Sequence, residues 1–285
     1  MKKTFLTVCI AGCAFFASAQ SFDIGLKGGI ASTWLLNTNV NNAGSDENLS
    51  STISGDFGLH LQYNFNDHIG VELEFISEAF KQDYNGSFVN PTGYSRGTIY
   101  DNGVTIIYTN GESYTATTTL NELKIPLLFH YQATSGFCLE VGPELASISN
   151  ATYTATYSNV GYVPGAYIAP NPSYTTKSDW ASSNMALVLG LGWNFHLSGN
   201  FYLNADLRFE YGLTDLVGTD GHGQDLNASY NGGSLYASSQ PAHGAYYYPS
   251  YTATHSLEGS LNIGIFYRIL TGGGGSAKTA TDTKK

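Results

Sequence analysis

Seven histidines are the first residues to weigh as chemistry: His60, His68, His130, His196, His222, His243 and His255. Imidazoles that share a metal usually recur at short fixed intervals, as in H-x-x-x-H on a helix, and none of these does. Gly221-His222-Gly223, beside Asp220 and Asp225, offers a cation site or a base in a lid loop. A plain loop tip is the commoner use of such a stretch. TGGGGSAKT near the C-terminus nearly spells a phosphate-binding loop, but Ala277 stands where glycine should precede Lys278. Only TATDTKK follows, so the stretch reads as a linker. Asp56-Phe57-Gly58 spells a kinase tripeptide in a chain with no catalytic loop, which makes it a coincidence. No catalytic, cofactor-binding or metal-ligating residue is assigned. What remains is polar and charged residues at even spacings within single segments: Asp23 and Lys27; His60 and Gln62; Glu72 and Glu74; Glu122 and Lys124; Glu140 and Glu144; Asp206, Arg208 and Glu210; Glu258 and Arg268.

An even spacing puts side chains on one face of a β-strand. SGDFGLHLQYNF (54–65) shows the pattern best, with Phe57, Leu59, Leu61, Tyr63 and Phe65 on one face and Gly58, His60, Gln62 and Asn64 on the other. Seven further segments alternate in the same way: 22–32, 69–80, 120–131, 137–147, 185–195, 201–213 and 256–269. Each is long enough for the roughly 9 to 11 residues that a tilted membrane strand needs. Tight turns follow Phe65, Gln132 and His196, while the other connections, 34–54, 83–118, 150–183 and 219–254, are long. Long structureless loops are unusual in compact soluble domains, whereas short turns at one end and long loops at the other characterise outer-membrane barrels.

Composition narrows the class. Charged residues make up 12% of the 285 positions and the formal net charge is −10, which argues against a nucleic-acid partner. No run approaches the roughly 20 apolar residues of a spanning helix. MKKTFLTVCIAGCAFFASAQ carries Lys2 and Lys3, an apolar stretch from Phe5 to Phe16, and Ala17-Ser18-Ala19 as a cleavage site, so residues 1–19 read as a signal peptide. Ile10-Ala11-Gly12-Cys13 resembles a lipobox and offers lipidation of Cys13 as the competing reading. Cleavage after Ala19 leaves Cys138 alone, so no internal disulfide holds the exported chain.

The direction of the apolar rows follows from the aromatic residues. Phe22, Tyr63, Phe65, Phe129, Tyr131, Phe137, Trp193, Phe195, Phe201 and Tyr267 gather beside the short turns. Trp34, Phe75, Phe209 and Tyr211 lie toward the long loops, with Leu, Ile and Val between the two sets. Two aromatic bands around an aliphatic belt match the girdles of a transmembrane barrel. A soluble sandwich or lipocalin-like barrel explains neither the bands nor the loop asymmetry. The polar rows then face inward, where Gly58, Gly70, Gly142, Gly190, Gly192 and Gly264 spare room in a narrow barrel. The inward charges are expected to pair with Lys27, Lys124, Arg208 and Arg268 in a plugged interior, since desolvated charges must be paired; a catalytic, proton-conducting or channel role is the alternative. Acids outnumber bases, so His60, water or protonated carboxyls take up the excess. Pro126 removes a ladder donor, and a bulge or bend is expected there.

LKGG after the leader, ELKIPLLFHY, VGPELA and the closing IGIFYRI are similar to the outer-membrane β-barrel family of Bacteroidetes to which PorT belongs. The resemblance spans nearly the whole mature chain and implies an eight-stranded barrel, with a link to protein secretion through PorT. It departs at the end, where Tyr267-Arg268 is followed by Ile269, Leu270 and a further 15 residues instead of a terminal aromatic. The expected fold is an all-β transmembrane antiparallel barrel of eight strands over 20–270, with short periplasmic turns, four long extracellular loops and a flexible tail at 271–285. The expected partners are the lipid bilayer of the outer membrane and an extracellular or envelope protein or glycan. That ligand would be reached through the Tyr-rich loop segments SNVGYVPGAYIAPNPSY and GAYYYPSY. Asn102-Gly103 and Asn110-Gly111 predict hairpins that rise beyond the membrane. The expected function is a non-enzymatic envelope anchor or interaction surface, with a PorT-like accessory of secretion as the alternative. A barrel-embedded enzyme would need a Ser or Asp converging on a rim histidine, for which His222 and His255 are the candidates.

Overall fold

The computed structural model describes residues 21–38, 48–87, 96–101, 104–109, 113–157, 173–175, 177, 180–216 and 253–270. The expected leader, tail and most of the 219–254 segment, with His222 and His243, lie outside them. The strands are β1 (Ser21–Leu36), β2 (Asn48–Ser50), β3 (Thr52–Asn64), β4 (Ile69–Ser87), β5 (Arg96–Asp101), β6 (Val104–Thr109), β7 (Ser113–Gln132), β8 (Phe137–Tyr157), β9 (Ser173–Thr175), β10 (Ser183–Ser198), β11 (Phe201–Gly212) and β12 (His255–Leu270).

Eight of these close a ring. β1 pairs with β12 on one side and β3 on the other, and the ladder runs on through β4, β7, β8, β10 and β11 back to β12. Every pairing is antiparallel, and closure leaves no open edge, as a spanning sheet in lipid requires. Each short turn has a local cause. The Asn66 side chain accepts from the backbone N–H groups of His68 and Ile69 at 2.8 and 2.9 Å. At the next turn Gly136 supplies a φ of 87°, and at the third Gly199 supplies 57°, a conformation that L side chains rarely adopt.

The alternation is inside-out. Ile53, Phe57 and Ile30 expose 72%, 60% and 59% of their surface, whereas Glu72, Glu74 and Arg208 expose at most 1%. All the charged residues read as inward-facing are buried, except that Arg268 keeps part of its side chain exposed. The aromatic band at the short-turn end is cohesive: Phe137 meets Trp193, Phe201 meets Tyr267 and Tyr63 meets Phe65 edge to face, with ring centroids 5.1, 5.1 and 5.2 Å apart. Toward the long loops, Trp34 and Tyr211 flank Leu257 on adjacent strands.

Two expectations change. β4, β7 and β8 run to 19, 20 and 21 residues, so strand continues well into the segment 83–118 and through the first part of 150–183. The outer halves of β7 and β8 are rich in Thr, Ser and Tyr and that of β4 is mixed and polar, so none carries an apolar stripe for a sequence reader to follow. β5 and β6 pair antiparallel, with Asp101 opposite Val104; the expected turns at Asn102-Gly103 and Asn110-Gly111 lie outside the described residues. The second change concerns Pro126, where register stays continuous with both neighbours. The ladder to β4 is merely interrupted opposite it, at Glu74 and Phe75, and the bulge lies earlier, at Asn121/Glu122. Losing one donor costs a ladder bond without requiring an extra residue.

At the long-loop end the interior turns apolar. Leu35, Phe80, Leu120, Ile148 and Ala151 from the barrel wall enclose Trp180 and Leu216, which arrive from the connections before β10 and after β11. Backbone bonds anchor both, with Ala181 N–H donating to Leu216 O at 2.7 Å and Leu216 N–H to Thr254 O at 2.8 Å.

Candidate functional site

Beneath that apolar layer the barrel is filled by ion pairs in three tiers. β11 supplies Arg208 to the middle tier, and its guanidinium donates to Glu72 Oε1 at 2.9 Å, to Glu140 Oε2 at 2.8 Å and, from Nη1, to Glu74. Lys27 of β1 lies 2.7 Å from Asp206 and 3.2 Å from Glu74. His60 sits 3.2 Å from both Glu72 and Glu74, and its ring stacks on Phe266 at 4.0 Å. His130 faces Glu140 at 3.4 Å and Glu72 at 3.6 Å. The inward glycines make this packing possible: a Cβ on Gly264 would meet the Phe266 ring at 2.6 Å, and one on Gly190 would meet Glu140 Oε2 at 2.9 Å.

The tier nearer the long loops centres on Lys124, whose ammonium contacts Glu258, Glu78 and Glu210 at 2.5, 2.6 and 2.8 Å. Ser54 donates to Glu78, and Glu122 and Glu144 are buried inward-facing neighbours on β7 and β8. The tier beside the short turns is held by Arg268, which grips Asp23 with two bonds of 2.8 and 2.7 Å and lies over the Tyr202 ring at 4.3 Å. Asn64 joins it by donating to Asp23 at 3.1 Å. Ion pairs this deeply desolvated persist only when both members are present and hydrogen-bonded. Chemically the arrangement closes the lumen and ties strands from opposite walls together.

Every inward charge named from the sequence lies in one of these tiers. Glu78, Phe266 and the inward position of His130 join the interior without a place in the sequence reading. Strand parity held the signal, because His130 alternates with Phe129 and Tyr131, and Phe266 with Tyr267. The convergence of Glu72, His130 and Glu140 from three strands had no such signal. Of the rim candidates for an enzyme, His255 opens β12 and stacks on Tyr211 at 5.9 Å. Cys138 is buried and inward-facing, with Asn204 donating to its sulfur at 3.8 Å.

No curated protein matches the chain. Among solved structures it is similar to Neisserial surface protein A (NspA), at 9% identity and a TM-score of 0.36, over 86% of this chain and 96% of that one. It is likewise similar to Ail, the attachment invasion locus protein of Yersinia pestis, at 11% identity and a TM-score of 0.33, over 87% and 98%. A third is the outer membrane protease OmpT of Escherichia coli, at 9% identity and a TM-score of 0.36, over 87% and 97%. The profile of the family described as outer membrane protein beta-barrel domain matches residues 18–218, well over half of the sequence. The chain belongs to that family, and its place is the bacterial outer membrane.

Proposed function

We propose that this barrel is a non-enzymatic anchor whose sealed interior carries no traffic and whose extracellular segments present a binding surface for an envelope or extracellular protein or glycan. The supporting observation is the length of β4, β7 and β8, at 19, 20 and 21 residues, when roughly 9 to 11 suffice to span the membrane. Their outward positions change from Phe75, Leu123 and Leu145 to Ser77, Asn121 and Ser147, so a polar three-stranded wall stands clear of the lipid. The Tyr-rich segments around 158–174 and 244–251 belong to the same extracellular end in this reading. Rigid amphipathic rings with Ser and Gly are well suited to adaptable recognition. Export by the 1–19 leader, with cleavage after Ala19, is part of the proposal.

A PorT-like accessory of secretion is the second reading, favoured by the similarity of LKGG, ELKIPLLFHY, VGPELA and IGIFYRI to that family. A deletion strain complemented with the full chain or with a version trimmed of 158–172 and 224–250 separates the two. The anchor reading expects the trimmed barrel to assemble, judged by a shift in gel mobility on boiling, while failing to restore surface binding. A secretion defect that the trimmed barrel repairs would replace it with the accessory role.

A further inference from the structure

We propose that Glu72, His130 and Glu140 form a divalent-metal site that staples three consecutive barrel strands, β4, β7 and β8. Arg208 Nη2 takes one oxygen of each carboxylate, Glu72 Oε1 and Glu140 Oε2, at 2.9 and 2.8 Å. The other oxygens, Glu72 Oε2 and Glu140 Oε1, turn to the opposite side and face His130 Nδ1 at 3.6 and 3.4 Å. The three atoms lie within 4.8 Å of one another, and all three residues are buried.

These separations are long for a charge-assisted N–H···O bond, which runs about 2.7–2.9 Å. They suit two ligands on one ion: bonds of about 2.1 Å at a tetrahedral angle place the ligand atoms about 3.4 Å apart. Glu72 Oε2 and both ring nitrogens of His130 also have no hydrogen-bond partner among the described residues, although Glu72 is 0% and His130 2% exposed. Buried polar atoms of this kind are normally satisfied, so the gap points to a missing electrophile between them.

Charge leads to the same place. Glu72, Glu74, Glu140 and Asp206 surround Lys27 and Arg208, leaving two negative charges to offset in the middle tier, and one divalent cation does so. Two imidazolium rings would do so as well, and that is the competing state. The second possible set, His60 with Glu72 and Glu74, is already engaged. His60 Nδ1 is bonded to Glu74 Oε1 at 3.2 Å, Lys27 approaches that same oxygen, and Phe266 stacks on the ring. One imidazole with two carboxylates, and no thiolate, suits zinc or a neighbouring first-row divalent ion. The position also explains a use for the site, because the ladder between β4 and β7 is interrupted opposite Pro126, two ladder positions from Glu72 and four residues from His130.

The test folds the full chain in detergent micelles with one equivalent of Co²⁺ and records its visible d–d absorption, with boiling-dependent gel mobility as the check on folding. Bands that saturate at one ion per chain, persist in His60→Gln and weaken at least tenfold in affinity in His130→Gln are expected. Absence of bands in the folded wild type, or their survival in His130→Gln, overturns the site in favour of the imidazolium state. Should His130→Gln not fold, the wild type still decides: its urea midpoint rises with Zn²⁺ and falls with EDTA if the site exists. A midpoint indifferent to both overturns it.

Discussion

Replacing Arg208 with methionine removes the hub of the middle tier while keeping most of its volume. The guanidinium is 1% exposed, donates to Glu72, Glu74 and Glu140, and lies 3.3 Å from Asp206. Without it these four carboxylates keep Lys27 as the one Lys or Arg beside them among the described residues. Breaking a buried pair by deleting one partner costs about 3–5 kcal/mol, because the stranded charge stays desolvated. Arg208→Met is therefore expected to lose stability in that range, read from urea titration in micelles with the folded fraction followed by gel mobility. Joint replacement, Arg208→Met with Glu72→Gln and Glu74→Gln, is expected to recover most of the loss, since removing both sides of a buried pair is often close to neutral. Arg268→Met is the internal comparison: its side chain is 22% exposed, so water partly replaces the two bonds to Asp23 and a loss of about 1 kcal/mol is expected. An Arg208→Met midpoint within about 0.5 kcal/mol of wild type would refute the argument that buried pairing holds the interior.

The lipid face is tested by Leu59→Arg, half exposed at 51%, which is expected to cost about 2–4 kcal/mol near mid-membrane in the same titration. Gly264→Val drives a side chain into the Phe266 ring that stacks on His60, and a loss of about 1–3 kcal/mol is expected from the overpacking. Phe80→Ala opens the apolar layer at the long-loop end, with an expected loss of about 3–5 kcal/mol by the same measure. In planar bilayers the wild-type protein is expected to show no steady unitary conductance; a stable open level would contradict a lumen closed by both the ion-pair tiers and the apolar layer.

Much of the barrel is legible along the chain, because a period of two states both the element and its sidedness. Phe57, Leu59 and Tyr63 against His60, Gln62 and Asn64 place β3 and its two faces without further help, and the aromatic residues beside the turns tell lipid from core. Reading fails where that contrast fades. The outer halves of β4, β7 and β8 have polar residues on the solvent side and a mixture of apolar and polar residues inside, such as Phe80, Gln82, Ala116 and Thr118, so strand and loop look alike in one dimension. Pro126 misleads for a related reason: the residue type announces a lost donor, but only the neighbouring strands decide whether the register shifts.

Alternation alone determines which side chains enter the barrel, since parity is a property of each strand by itself. Which of them meet is decided by register and shear, which bring residues far apart in the chain to one level of the lumen. Lys27 reaches Asp206, and Arg208 reaches Glu72, Glu74 and Glu140, across distances in sequence that no local pattern encodes. The same closure turns a scattered histidine, His130, toward two carboxylate oxygens that Arg208 leaves free. A strand specifies its inward row by geometry, but the ion pairs, their burial and the open face beside His130 exist only once the ring has closed.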